Sequence, residues 1–180
     1  SACFIYHSNT RFTPAIHNQN TANFVAMQAA TYSVADNDLP IELDVCKNSN
    51  APTPTKEITV QAPYGSVVDS SAVFDQCGND SICILPLGVT LQVDTNLNLG
   101  ALIVQGELEW TDSTQANPSA FVCGGYIVVE GNGVWNMDLQ TKSGIIYLKN
   151  NGAVHSKLRT RAFGSHAEDG DYPQIDIKGR

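Results

Sequence analysis

One short phrase recurs four times between Ile84 and Val154, and it limits the folds open to this chain more than anything else in the sequence. Each copy is an apolar run rich in Val, Ile and Leu, a polar residue or a turn residue, a glycine, then further apolar residues. The copies are Ile84–Leu91, Leu102–Leu108, Ile127–Val134 and Ile146–Val154, with glycines at Gly88, Gly106, Gly131 and Gly152. These glycines stand 18, 25 and 21 residues apart. β-Branched and aliphatic runs this short favour strand over helix. Glycine marks the places where the chain must turn sharply, often with positive φ. A coil of three short strands and their turns takes on the order of 20 residues. The pattern therefore predicts an all-β solenoid of parallel coils. The competing arrangement is an antiparallel sandwich, because Asn132-Gly133 and Asn151-Gly152 would also suit tight hairpins. The near-constant spacing, with long polar stretches such as Thr111–Ser119 between runs, favours the parallel coil.

The stretch from about residue 84 to residue 164 resembles the G8 domain, a glycine-punctuated β module of extracellular hyaluronan-binding and fibrocystin-like proteins. Pro86-Leu87-Gly88-Val89-Thr90-Leu91-Gln92-Val93-Asp94, Leu99–Leu108, Tyr126–Val134 and Gly152-Ala153-Val154 carry the likeness. The sequence departs from the pattern at Gly131-Asn132-Gly133, where the family usually has two adjacent glycines. The resemblance implies a right-handed parallel β-helix-like module outside the cell, used in a non-catalytic or accessory role.

Composition agrees with a secreted β protein. Only 16% of residues are charged, and polarity comes from Asn, Thr, Ser and Gln. A formal net charge of −8 argues against nucleic acid or an anionic membrane surface as partner. No run is apolar for long enough to span a bilayer. Lys142–Arg161 is locally basic, which suits a solvated strand face or a small anionic-glycan contact. Five cysteines without a C-x-x-C spacing favour disulfides over zinc. Cys77 and Cys83 flank a turn-rich loop short enough to bridge. Cys3 with Cys46 is a plausible second pair, leaving Cys123 as a buried thiol or a link to another chain. Asn79-Asp80-Ser81 is an N-glycosylation sequon in the first of these loops.

Residues 1–47 read as an N-terminal arm or small irregular unit, with one helix expected over Thr21–Thr31. Residues 48–56 read as a Pro/Thr linker. Residues 57–180 then form the G8-like solenoid. The chain opens without Met or a leader and stops just after a strand-like run, which is the expected look of a processed chain or a segment of a longer one. Asp36 and Asp38 form an acidic turn that would offer calcium oxygens, and Asp169 and Asp171 form a second. His155, His166 and Glu168 give that second cluster the makings of acid/base chemistry or a metal set, without a recognised signature. Trp110 and Trp135 would stack sugar rings if exposed, although core packing is the commoner fate of a strand tryptophan.

Three functions fit this reading. The favoured one is a non-catalytic module that binds glycan or protein, or packs with other protein subunits or the rest of a longer chain. Next is a structural subunit of a filament, surface layer or fibre. Last is part of a glycan-degrading enzyme, which would need Asp94, Asp112, Glu130 or Asp138 to align on one sheet face.

Overall fold

A computed structural model of the chain describes the backbone of residues 4–7, residue 46, and residues 53–179. Among these residues the chain forms fourteen short strands, and one helix is described in full. Three parallel sheets share the strands. Sheet I contains β2 (Lys56–Thr59), β4 (Ser81–Leu85), β7 (Ala101–Val104), β10 (Ile127–Glu130) and β13 (Phe163–His166). Sheet II contains β3 (Val67–Asp69), β5 (Thr90–Gln92), β8 (Glu107–Thr111), β11 (Val134–Leu139) and β14 (Gln174–Gly179). Sheet III contains β6 (Leu97–Asn98), β9 (Ser119–Gly124), β12 (Ser143–Leu148) and β1 (Phe4–His7).

The chain visits the sheets in the order I, II, III and then returns to I one level further on. Among the described residues every ladder between strands is parallel, and none forms the antiparallel hairpins that Asn132-Gly133 and Asn151-Gly152 would also suit. Gly88, Gly131 and Gly152 make their turns with positive φ, where only glycine is comfortable. At the first level the sheet III position is taken by α1 (Ser70–Cys77), which packs against β6 and the adjacent strands. The sequence pattern did not predict this helix. Its signal is Asp69, whose carboxylate accepts from Ala72 N at 2.7 Å and caps the first turn. At the fifth level the sheet III position is taken by β1, which pairs with β12. The helix expected over Thr21–Thr31 lies outside the described residues.

One apolar core is shared by all three sheets. It includes Leu85, Val104 and Ile127 from sheet I, Leu91, Trp110, Trp135 and Met137 from sheet II, and Val122, Ile146 and Leu148 from sheet III. Trp110 and Trp135 are fully buried and meet edge to face at 6.5 Å. Trp110 Nε1 donates to Gln115 Oε1 at 2.6 Å, while Trp135 Nε1 is buried without a partner among the described residues. Both rings therefore serve packing, and the expected sugar contact at Trp110 and Trp135 is corrected: no sugar face can reach them.

Cys77 is bridged to Cys83. The second bridge joins Cys46 to Cys123, not Cys3 to Cys46 as the sequence suggested, so Cys123 is not a spare thiol. Cys3 itself lies outside the described residues. Cys123 was hard to assign because its partner lies 77 positions away. Closing a loop of that size removes roughly 4 kcal/mol of freedom from the unfolded chain on the loop-entropy account. Two bridges fit an oxidising environment. No helix among the described residues is long and apolar enough to cross a membrane.

Candidate binding face

Each sheet has an inner face toward the shared core and an outer face, and the three outer faces differ. Sheet III carries Phe121, Cys123 and Tyr147 outward, and these are buried together with Cys46. The bridge thus holds Cys46 against that face. On sheet I the outward side is also apolar. Ala101, Ile103, Tyr126 and Val128 are buried there, with Ile82 and Ile84 beside them.

The cover for sheet I is the segment 149–162, which crosses it as a strap between β12 and β13. Ala153, Leu158 and Ala162 pack onto the sheet. Asn151 is buried, donating to Gly100 O at 2.8 Å and accepting from Ala153 N at 3.2 Å. The crossing needs glycine at Gly125, because a Cβ there would collide with Asn151 Oδ1. Arg159 and Arg161 both adopt positive φ, so the end of the strap is strained.

His155 fastens the strap. Its Nδ1 accepts from Leu158 N at 3.1 Å and faces Lys157 N at 3.3 Å, which leaves Nε2 to donate to Glu130 Oε1 at 2.9 Å. The His155 hydrogen bond holds the Glu130 carboxyl below its usual range, against the opposing effect of desolvation. His166 Nδ1 lies 4.0 Å from the same oxygen. Tyr126 packs edge-on to His155, and burial, with Glu57 and Glu130 nearby, pushes its hydroxyl up to about 12. With both His155 nitrogens engaged, this group is a fastening rather than a base with a free lone pair. Among the described residues no group of three or more His, Cys, Asp or Glu side chains is placed to hold a metal. Asp171 instead accepts from Glu168 N at 3.2 Å within the turn that also contains Asp169. Asp36 and Asp38 lie outside the described residues.

The basic run does not form one patch. Lys149 is buried, and desolvation lowers its ammonium to about 8. Lys142 Nζ donates to Gln115 O, while Lys157 and Arg159 are exposed on the strap.

Among the described residues, sheet II is the one with no segment across its outer face. Its strands alternate strictly, as in β11, where Trp135, Met137 and Leu139 are buried and Val134, Asn136 and Asp138 are not. Parallel register stacks the outward residues into columns. One runs Asp69, Gln92, Glu109, Asn136, Asp176, and a second runs Val67, Thr90, Glu107, Val134, Gln174. A shorter third runs Thr111, Asp138, Lys178. No described segment crosses them. At a strand spacing of about 4.8 Å, five levels span roughly 19 Å. Gln92 Nε2 donates to Glu109 Oε2 at 2.9 Å, and Lys178 Nζ meets Asp176 Oδ2 at 2.7 Å. Among the described residues the three columns hold five carboxylates (Asp69, Glu107, Glu109, Asp138, Asp176) against one ammonium (Lys178).

Exposed aromatic rings sit along one margin of this face, in the turns that lead from sheet I to sheet II. Tyr64, at the first level, is 83% exposed, with its ring laid across Gly88. Leu87 is exposed next to it. Tyr172, at the fifth level, is 75% exposed, and its backbone N–H donates to Asn132 Oδ1. Neither tyrosine stood out in the sequence. Both adjoin turn residues, Tyr64-Gly65 and Tyr172-Pro173, and that context favours a surface position.

The four carboxylates considered for a catalytic row do not line up on one sheet face: Asp112 and Asp138 both accept from Gln140 at the end of β11, while Asp94 and Glu130 lie elsewhere. Glu130 is under the strap on sheet I, and Asp138 is on sheet II. Asp94 accepts from Ser70 N at 3.0 Å at the turn toward sheet III. Asp112 caps the turn after β11, accepting from Gln140 N, Thr141 N, Thr141 Oγ1 and Lys142 N. Slight desolvation acts to raise the Asp112 carboxyl, and those four donors outweigh it and hold it low. Comparison with protein-family models, curated proteins and solved structures returned no match.

Proposed function

We propose that this chain is a non-catalytic, extracellular β-solenoid module of the G8-like kind. In this reading its sheet II face binds a neutral glycan within a larger secreted or cell-surface assembly. The observation that carries the reading is the contrast among the three outer faces: those of sheets I and III are apolar and buried, and that of sheet II is polar with no described segment across it. Flat columns of Asn, Gln, Asp and Glu suit the paired hydroxyls of sugars, and Tyr64 and Tyr172 offer rings for the sugar faces. The surplus of carboxylates disfavours an anionic polymer such as hyaluronan. Asp94 and Glu130 stand apart from Asp138, and Asp112 is taken up by four donors of the turn after β11, which counts against glycan hydrolysis at a carboxylate pair. Calcium would belong to the acidic turns rather than to this face.

The test is affinity electrophoresis of the intact chain through gels containing β-glucan, mannan, xylan or hyaluronan. The expected result is retardation by at least one neutral polymer and none by hyaluronan. Tyr64→Ala and Tyr172→Ala should each weaken the interaction about tenfold, the effect of losing one stacked ring at roughly 1.4 kcal/mol. Retardation by hyaluronan alone, or binding indifferent to both tyrosines, would overturn the reading.

A further inference from the structure

We propose that Asn79 is an N-glycan acceptor only before β4 is laid down and Cys77 joins Cys83, so that folding itself sets how much of the chain is modified. The sequon Asn79-Asp80-Ser81 is split by the fold. Asn79 and Asp80 lie in the turn that leaves α1, whose end is marked by Gly78 at φ 65° donating to Phe74 O. Ser81, two residues on from Asn79, is the first residue of β4, is 2% exposed and pairs in register with Lys56. Its hydroxyl donates to Cys77 O. Nor can its backbone swing outward easily, since it lies hard against Gly100, where an added Cβ would collide with Ser81 O.

Transfer to an Asn-x-Ser acceptor requires both the amide and the hydroxyl to reach the enzyme in an adaptable loop. In the folded chain the amide is available and the hydroxyl is not. The Cys77–Cys83 bridge spans only 6 positions, so it fixes this separation as soon as it closes. The two reactions therefore compete for one loop. In the first, the Asn79 side-chain nitrogen bonds to the anomeric carbon of a pyrophosphate-activated oligosaccharide and loses a proton. The lipid pyrophosphate leaves with the electron pair of the broken C–O bond. In the second, two thiols pass two electrons and two protons to a disulfide-carrying oxidant of the secretory pathway. Whichever comes first shapes the other. The loop lies beside α1 at the turn into sheet I, so a carbohydrate there leaves the sheet II face clear.

The experiment is translation of the full chain behind a cleavable secretory signal into microsomes, reading the glycosidase-sensitive fraction. Under oxidising conditions the chain should be partly modified. Reductant, or Cys83→Ser, should raise the modified fraction at least about twofold, because the loop then stays open. Asn79→Gln and Ser81→Ala should abolish it. The readout does not require the variant to fold. A fraction unmoved by both reductant and Cys83→Ser would sink the proposal, as would absence of glycan in every arm. Equal modification of the purified, bridged chain and the reduced one would sink it as well.

Discussion

The outer faces of sheets I and II are built from the same ladders at the same five levels, yet they carry opposite chemistry. On sheet I the outward column reads Ile82, Ala101, Tyr126 and then Ile84, Ile103, Val128. On sheet II it reads Gln92, Glu109, Asn136. The difference lies in whether the chain folds back over the sheet. A strap returns across sheet I and needs an apolar bed, whereas nothing described returns across sheet II, and its outward residues face water. Within one stack, then, the inner side chains specify the fold, and the outer ones report what each face meets.

The sharpest way to break this contrast is to place the same charge on both faces. Val128 and Val134 sit on consecutive strands of one level, one facing the strap and one facing solvent. Val128→Lys should cost roughly 3–5 kcal/mol, because the ammonium is buried without a partner. Val134→Lys, opposite Glu107, should stay within about 0.5 kcal/mol. Urea midpoints of the two variants decide it, and similar losses would mean that sheet II is covered after all.

The native lysines offer a second, smaller version. Lys149 is buried at the start of the strap and lowered to about 8, while Lys178 on sheet II is raised by its hydrogen bond to Asp176. Lys149→Met should stabilise the chain at neutral pH by about 1–3 kcal/mol, and Lys178→Met should do almost nothing. The sign with pH comes from linkage. The unfolded chain holds the Lys149 proton more tightly than the folded one, so stability should climb as pH rises from about 8 toward the ordinary lysine value of 10.5. Thermal melts across that range, with Lys149→Met as the flat control, measure it.

The smallest effect belongs to the strap fastening. Glu130 is lowered in the folded state, so its contribution is complete above the usual glutamate range and fades as pH falls through the folded value. The loss should be no more than about 1 kcal/mol for a partly exposed pair. It should appear first as faster hydrogen exchange at Ala153 and Leu158. Glu130→Gln should remove the pH dependence without unfolding the stack.

Much of this architecture was legible. The glycine-punctuated runs pointed to short strands, and the alternation in Glu107-Leu108-Glu109-Trp110 told which side of sheet II is buried. Even the covering of sheet I left a trace, since Ala101–Val104 and Ile127–Val129 are apolar at every position, the mark of strands buried on both faces. The cover itself was not readable. The strap contacts the sheet through Ala153, Leu158 and Ala162, too sparse to make a periodic signal. The helix α1 was hidden by its length of 8 residues and two opening serines. The Cys46–Cys123 link depends on which residues the levels bring together, which spacing along the chain does not encode.

The placement of β1 gives the molecule a direction in time. Residues 4–7 leave the ribosome long before their partners at 145–148, and the edge they pair with does not exist until β12 has formed. The early segment must therefore wait, unpaired, while the levels accumulate, and it docks only when the fourth is finished. Contacts this distant in sequence are slow to form. Once Cys46 is fastened to Cys123, whose neighbour in register is Tyr147 of β12, the loop left to close runs over residues 8–45 instead of 8–144, which lowers its closure entropy. The bridge thus acts as a leash for β1, so that oxidation shortens its search for the β12 edge as well as stabilising the folded chain.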